Sequence, residues 1–353
     1  MDPMVEGSTS PQESQGSVPR EQQFTGSLIG QCLGDALGFV VEGHPPQACQ
    51  RYVEEVLKTG NAGGHARNLF PFGQYSDDSQ LARELLLSYL ACGWFDPADY
   101  ARRIALIFAE GRIVGQGEST TEAARRLTGG VLWEEAGITS AAPRNGGAMR
   151  AGPVGLLFFD DSQGIVQAAH DQCRITHKDR RCSAGAVAIA GAVALALWDK
   201  PIDATWFLSQ LSEWTGKLDR SVASAIERLG GWMSLPPDEA ASLVLEVGLA
   251  VDRPEEVAML REGVPPLVTA SVLWSLYSFL RSPEDYWETI CTTIAVGGDV
   301  DTTAAMAGAM SGAYLGLEAI PEDLAQHLTD KGTWGFEELV DLGRDCYRSK
   351  VGL

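Results

Sequence analysis

The sequence has little positive charge. Its 27 Lys and Arg stand against 47 Asp and Glu, a net charge of −20 over 353 residues. A general grip on nucleic-acid phosphates needs clustered Lys and Arg, and so does a polybasic membrane patch. An anionic ligand must therefore be held locally, by backbone amides and a few cations. Long apolar runs are missing too: the longest, Ala184 to Trp198, stops short of the roughly 20 residues a membrane-crossing helix needs. No CxxC pair occurs. Cys32, Cys49, Cys92, Cys173, Cys182, Cys291 and Cys346 are scattered and odd in number, which reads as free thiols in a reducing compartment. Residues 1–23 lack an apolar leader and are rich in Ser, Gln, Glu, Gly and Pro, the composition of a disordered tail. These absences predict a cytoplasmic protein that binds neither nucleic acid nor membrane.

What is abundant is helical spacing. From Ser27 to Val40, Leu28, Ile29, Cys32, Leu33, Ala36, Leu37 and Val40 mark one helix. Similar patterns predict helices near 79–92, 97–110, 161–173, 184–198, 219–232, 237–250, 266–280 and 284–295. Strand signals are sparse and no linker divides the chain, so it reads as one all-α domain over 24–353. Gly26, Gly30, Gly34 and Gly38 recur every fourth residue, as do Ala304, Gly308, Gly312 and Gly316. An interior glycine costs about 1 kcal/mol relative to alanine, so each stripe implies a closely approaching backbone. The two helices pack either against each other or each against its own neighbour.

Two acidic clusters lie far apart: Ser76-Asp77-Asp78-Ser79 and Gly297-Gly298-Asp299-Val300-Asp301-Thr302-Thr303. Acids at a helix start can act as caps, worth about 0.3–1 kcal/mol. The second cluster adds a glycine pair and alternate acids, which would point the same way if that stretch is extended. If the fold joins the clusters, each carboxylate pair at 4 Å repels by about 4 kcal/mol at a surface-like dielectric, and cations are needed. Oxygen ligands without His or Cys suit Mg²⁺, Mn²⁺ or Ca²⁺ rather than Zn²⁺. Glu42, at the exit of the first helix, opposes the dipole there and lacks a local structural reason.

Three further segments fit either a binding role or ordinary turns. Gly115-Gln116-Gly117 precedes a short helical pattern, so its amides can cradle a diphosphate. Arg144-Asn145-Gly146-Gly147 permits close backbone approach. His177, beside the basic stretch from Lys178, fits a phosphate or ribose contact as well as a surface helix cap. Cys173 and Cys182 make no zinc site with it, since no fourth ligand is evident.

The ordered set GDALGFVVEG (34–43), YSDDSQ (75–80), RNGGAMRAGP (144–153), ITH (175–177) and GGDVDTTAAMAGAMSGAYLG (297–316) resembles the ADP-ribosylglycohydrolase family, which includes hydrolases of ADP-ribosyl-arginine and ADP-ribosyl-serine. The resemblance implies a single orthogonal multi-helix domain with a binuclear Mg²⁺ or Mn²⁺ centre under an ADP-ribose cleft. By motif match, Ser76, Asp77, Asp78, Asp299, Asp301 and Thr302 would be metal ligands. Glu42 would approach the metals or the ribose, and Glu42, Asp77 and Asp78 would be candidate catalytic acids. Gly115 and Gly117 would lie near the diphosphate, Asn145 and Gly146 along the distal ribose, and His177 against the ligand.

The expected function is release of ADP-ribose from modified proteins, with arginine linkages first and serine linkages as the alternative. Glycosidic cleavage builds oxocarbenium character at the ribose C1″, and paired cations suit both the ribose hydroxyls and a water nucleophile. Other readings are an immunity protein that neutralises an ADP-ribosyltransferase toxin through its N-terminal tail, a metal-binding pseudoenzyme, and a metal-dependent phosphatase or pyrophosphatase.

Overall fold

The computed structural model describes residues 18–352 apart from 68, 141, 199–200 and 256–262. Among the described residues the regular structure is helical, joined only by isolated β-bridges. The first helices are α1 (Glu21–Phe39), α2 (Pro46–Tyr52), α3 (Asp77–Cys92), α4 (Pro97–Ala109) and α5 (Glu118–Thr128). Then come α6 (Trp133–Ala136), α7 (Gly152–Leu157), α8 (Ser162–Arg174), α9 (Arg180–Trp198), α10 (Ala204–Gly216) and α11 (Arg220–Leu229). The chain continues with α12 (Pro237–Asp252), α13 (Val268–Arg281), α14 (Tyr286–Ala295), α15 (Val300–Leu315), α16 (Glu322–Ala325) and α17 (Phe336–Val351).

Local chemistry explains many of the boundaries. Asp96, Asp161, Asp203 and Asp219 each accept two backbone N–H groups at the starts of α4, α8, α10 and α11, a cap worth about 1 kcal/mol. Pro97 and Pro237 occupy first helical positions, where no N–H is needed. Helices α10 and α17 were not among the expected patterns. At the N-terminus, α1 begins at Glu21, and the Gln23 side chain donates to Leu197 O and Ala313 O at 3.2 and 2.9 Å. Folded structure thus starts three residues before the expected boundary; the rest of the expected tail, residues 1–17, lies outside the described residues.

The two small-residue stripes pack against each other. Added Cβ atoms at Gly26, Gly30, Gly34 and Gly38 would stand 2.6, 2.4, 2.2 and 2.5 Å from the carbonyl oxygens of Gly312, Gly308, Ala304 and Val300. The numbers run in opposite directions, so α1 and α15 are antiparallel with their backbones nearly touching. Tyr286 seals the pair by donating to Gly30 O at 2.9 Å. Beside them α9 is buried from Cys182 to Leu197. It is long and apolar enough to cross a membrane, yet its faces are taken by α7, α8, α10, α13 and α15.

Antiparallel packing brings the exit of α1 beside the entry of α15. Gly43 N–H donates to Gly298 O at 2.8 Å and Gly298 N–H to His44 O at 2.9 Å. The segment carrying Glu42 is thereby stitched to the segment carrying Asp299.

Candidate metal centre and active site

Ser76 caps α3, accepting from Asp78 N–H and donating its own hydroxyl hydrogen to Asp78 Oδ2 at 3.1 Å. Helix α1 supports this turn from behind. Asp35 Oδ1 accepts the Ser76 N–H at 2.9 Å, and its Oδ2 accepts the Ser79 N–H at 3.1 Å. One turn earlier, Gln31 donates to Asp78 O and Met149 O, both at 3.1 Å.

Gly297 and Gly298 shape the approach to α15. Both have positive φ, 76° and 86°, and a Cβ on either would overlap backbone of 44–46 or Val264; only glycine fits. Asp299 then stands at the N-cap position of α15, without a side-chain capping bond, and Asp301 lies in the first turn. The alternate acids reach the cleft because one precedes the helix and the other lies in its first turn; they do not share an extended stretch. Thr302 Oγ1 donates to the Asp78 carboxylate, at 3.2 and 3.3 Å from its two oxygens. That contact joins the two acidic clusters.

Carboxylate oxygens of Asp35, Asp78 and Asp301 lie within 4.8 Å of one another, and so do those of Glu42, Asp299 and Asp301. Asp301 belongs to both triplets. Burial pushes Asp35, Asp77, Asp78, Asp299 and Asp301 above the usual carboxylate range, and for all but Asp35 neighbouring acids add to the shift. Like charges at about 5 Å repel by roughly 3 kcal/mol per pair at an effective dielectric of 20. An oxygen-only set so crowded fits hard divalent cations such as Mg²⁺ or Mn²⁺. Above it opens a cleft of about 380 Å³, walled by the 115–120 loop, Arg144 to Gly146, His177 and Pro266.

A sequence model of the ADP-ribosylglycohydrolase family matches residues 17–351. The chain belongs to the ADP-ribosylglycohydrolase family. It is 30% identical to the ADP-ribosylhydrolase ARH3 of Mus musculus, over 92% of this chain and 91% of the mouse protein. Against ARH3 of Gallus gallus it is 31% identical, over 88% and 90% of the two chains. A solved structure described as an ADP-ribosylglycohydrolase-related protein complex superposes with a TM-score of 0.71 at 26% identity, covering 94% of this chain and 99% of the other. The protein is thus a glycosidase that acts on ADP-ribosyl substrates.

In this ADP-ribosylglycohydrolase, Glu42, Asp77, Asp78, Gly115, Gly117, Asn145, Gly146, His177, Asp299, Asp301 and Thr302 all line the cleft, while Ser76 lies buried just behind its floor. Two placements refine the expected roles. Asn145 spends its amide hydrogens on Asp299 Oδ2 at 2.5 Å and Ser271 Oγ at 2.9 Å, so it braces a carboxylate. His177 is buried and belongs to the cleft wall, which rejects the surface-cap alternative. Gly115 has φ of 76°, and a Cβ there would sit 3.2 Å from Ser76 Cβ. Gly117 caps α5, whose first helical bond runs from Thr121 N–H to Gly117 O. The amides of Glu118, Ser119 and Thr120 are thereby left without helical partners at a positive dipole end.

Two residues were missed. Asp35 was visible as the acid inside the Gly34-to-Gly38 run but had no sign of its long-range bonds. Arg67, which pairs with Glu42, donates to Phe39 O at 3.2 Å and stacks 4.4 Å above the Phe39 ring, lies in a segment with no motif.

Proposed function

We propose that the protein is a divalent-metal-dependent hydrolase that cleaves the C1″ glycosidic bond joining ADP-ribose to a protein side chain. The observation that carries this reading is the pair of carboxylate triplets sharing Asp301 beneath a cleft of nucleotide size. Ser76, Asp77, Asp78, Asp299, Asp301 and Thr302 would hold two Mg²⁺ or Mn²⁺ ions, with Asp35 behind them. Bound there, such ions supply Lewis acidity toward water and the ribose hydroxyls.

The chain's own groups do the rest. Glu42 lines the cleft, and its carboxylate oxygen is placed to accept the proton that the attacking water loses. The amides of Glu118 to Thr120 face the diphosphate with partial positive charge. Gly115 keeps the cleft open beside Asp77, and Asn145 holds the Asp299 carboxylate in one orientation.

Sequence favoured an arginine linkage. The Arg67 guanidinium pairs with Glu42, filling the place where a substrate guanidinium would meet that carboxylate, and this supports a neutral leaving group such as a serine hydroxyl. The test is a product assay on arginine-linked and serine-linked ADP-ribosyl peptides with Mg²⁺, Mn²⁺ or EDTA. Free ADP-ribose from the serine-linked peptide alone, lost in EDTA, is the expected outcome. AMP as product would move the chemistry to the diphosphate, and full turnover in EDTA would remove the metal from the reaction.

A further inference from the structure

His177 meets the cleft through a chain of hydrogen bonds that begins at a fully buried cation. Arg150 has no exposed surface. Its Nε donates to Gln172 Oε1 at 2.9 Å, and its Nη2 to Gln172 O at 3.0 Å and Thr176 Oγ1 at 2.7 Å. A guanidinium only donates, so Thr176 Oγ1 must accept on that side. The hydroxyl hydrogen then has two takers: His177 Nδ1 at 2.8 Å and Cys173 O at 3.4 Å. The shorter contact has the ordinary length of a strong bond from a hydroxyl. Polarisation by the guanidinium also makes the hydroxyl a better donor and a poorer second acceptor.

We propose that Arg150 and Thr176 are positioning residues that lock His177 in the tautomer with its hydrogen on Nε2, so that the ring enters the cleft only as a hydrogen-bond donor. The ligand it faces is an oxygen of ADP-ribose, so this part rests on the reading of the cleft given above. Nε2 has no partner among the described residues. It lies beneath Gly146, where an added Cβ would stand 3.1 Å away, so the missing side chain leaves that nitrogen accessible. Burial, followed by the charges of Arg150 and Arg144, holds the ring well below its usual pKa, at about 3. The imidazole therefore stays neutral, and the tautomer alone decides what Nε2 offers. With the hydrogen on Nδ1, Nε2 would turn a lone pair toward an oxygen-rich ligand.

The lock is read directly by two-bond ¹H–¹⁵N NMR on the ¹⁵N-histidine-labelled full chain between pH 6 and 8. The expected His177 spectrum has a pyridine-type Nδ1 and a pyrrole-type Nε2; the reverse assignment overturns the proposal. Thr176→Val, which keeps the shape and removes the hydroxyl, is expected to weaken ADP-ribose binding about tenfold, the loss of about 1.4 kcal/mol. Thr176→Ser, which keeps the hydroxyl and both of its hydrogen bonds, restores it to within about twofold of wild type. Unchanged affinity in a folded Thr176→Val protein overturns the positioning role. The wild-type spectrum needs neither variant nor ligand, so a Thr176→Val chain that fails to fold leaves the tautomer test decisive. A wild-type protein with the expected spectrum that binds no ADP-ribose would refute the reading of the cleft and leave the lock intact.

Discussion

Arg67 holds Glu42 at the rim of the cleft, while the Glu42 carboxylate also lies within 4.8 Å of carboxylate oxygens of Asp299 and Asp301. One acid is shared between a protein cation and the proposed place of an ion. Arg67→Ala is therefore expected to tighten Mg²⁺ binding by about two- to fivefold, the scale of a partly exposed ion pair. Calorimetric titration measures it, and weaker binding in the variant would show that Arg67 supports the centre instead of competing with it.

Asp301 offers the cleanest separation of stability from function. Asp301→Asn removes an ionisable carboxyl that both triplets share, so the metal-free protein is expected to melt about 2 °C higher. Mg²⁺ should no longer raise its melting temperature, and hydrolysis should fall about 100-fold or more. Retained stabilisation by Mg²⁺ would remove Asp301 from the centre.

The buried acids also set a pH dependence. Burial raises Asp299 to about 6, Asp35 to about 7 and Asp77 to about 8, with neighbouring acids adding to the shift at Asp299 and Asp77, against about 4 in an unfolded chain. Between these values the folded state binds more protons than the unfolded one, so stability falls as pH rises. EDTA-treated protein should lose melting temperature from pH 5 to 8. Asp252, buried under Thr269 and raised to about 7, adds the same sign outside the centre. Saturating Mg²⁺, which displaces protons only from the centre, is expected to flatten most of the slope and leave the Asp252 share. A slope unchanged by Mg²⁺ would contradict the assignment.

The α1–α15 contact predicts a steep cost at single glycines. Gly308→Ala places a methyl 2.1 Å from Gly30 O and is expected to destabilise by about 3 kcal/mol. Gly231→Ala, where a Cβ meets nothing within 4 Å, should be close to neutral. Urea unfolding of the two variants checks the contrast, and equal midpoints would contradict the packing.

Much of this was legible in the sequence because local chemistry set it. The stripes at Gly26 to Gly38 and Ala304 to Gly316 announced close packing, although pattern alone could not say that they pair. The acids at 76–78 and 299–302 were legible as candidate ligands, with helix capping as the alternative for each cluster. Asp35 was not, since an acid within a helix shows nothing of a turn 41 residues later in the chain that it braces. Arg67 was invisible for a similar reason: its role depends on a loop folding back over Phe39. Helix α10 had a usable signal in its Asp203 cap, and α17 in Leu339, Val340, Gly343 and Cys346, spaced to bury one face.

Thr302 donates to a carboxylate 224 positions earlier in the chain, and Asp35 and Asp301 are brought together by the packing of α15 on α1. Closing so large a loop is slow compared with forming any one helix. Both carboxylate triplets include Asp301, so neither is complete in a chain that lacks the start of α15. The pairing of α1 with α15 thus makes the cleft floor a product of the whole fold and of no single segment.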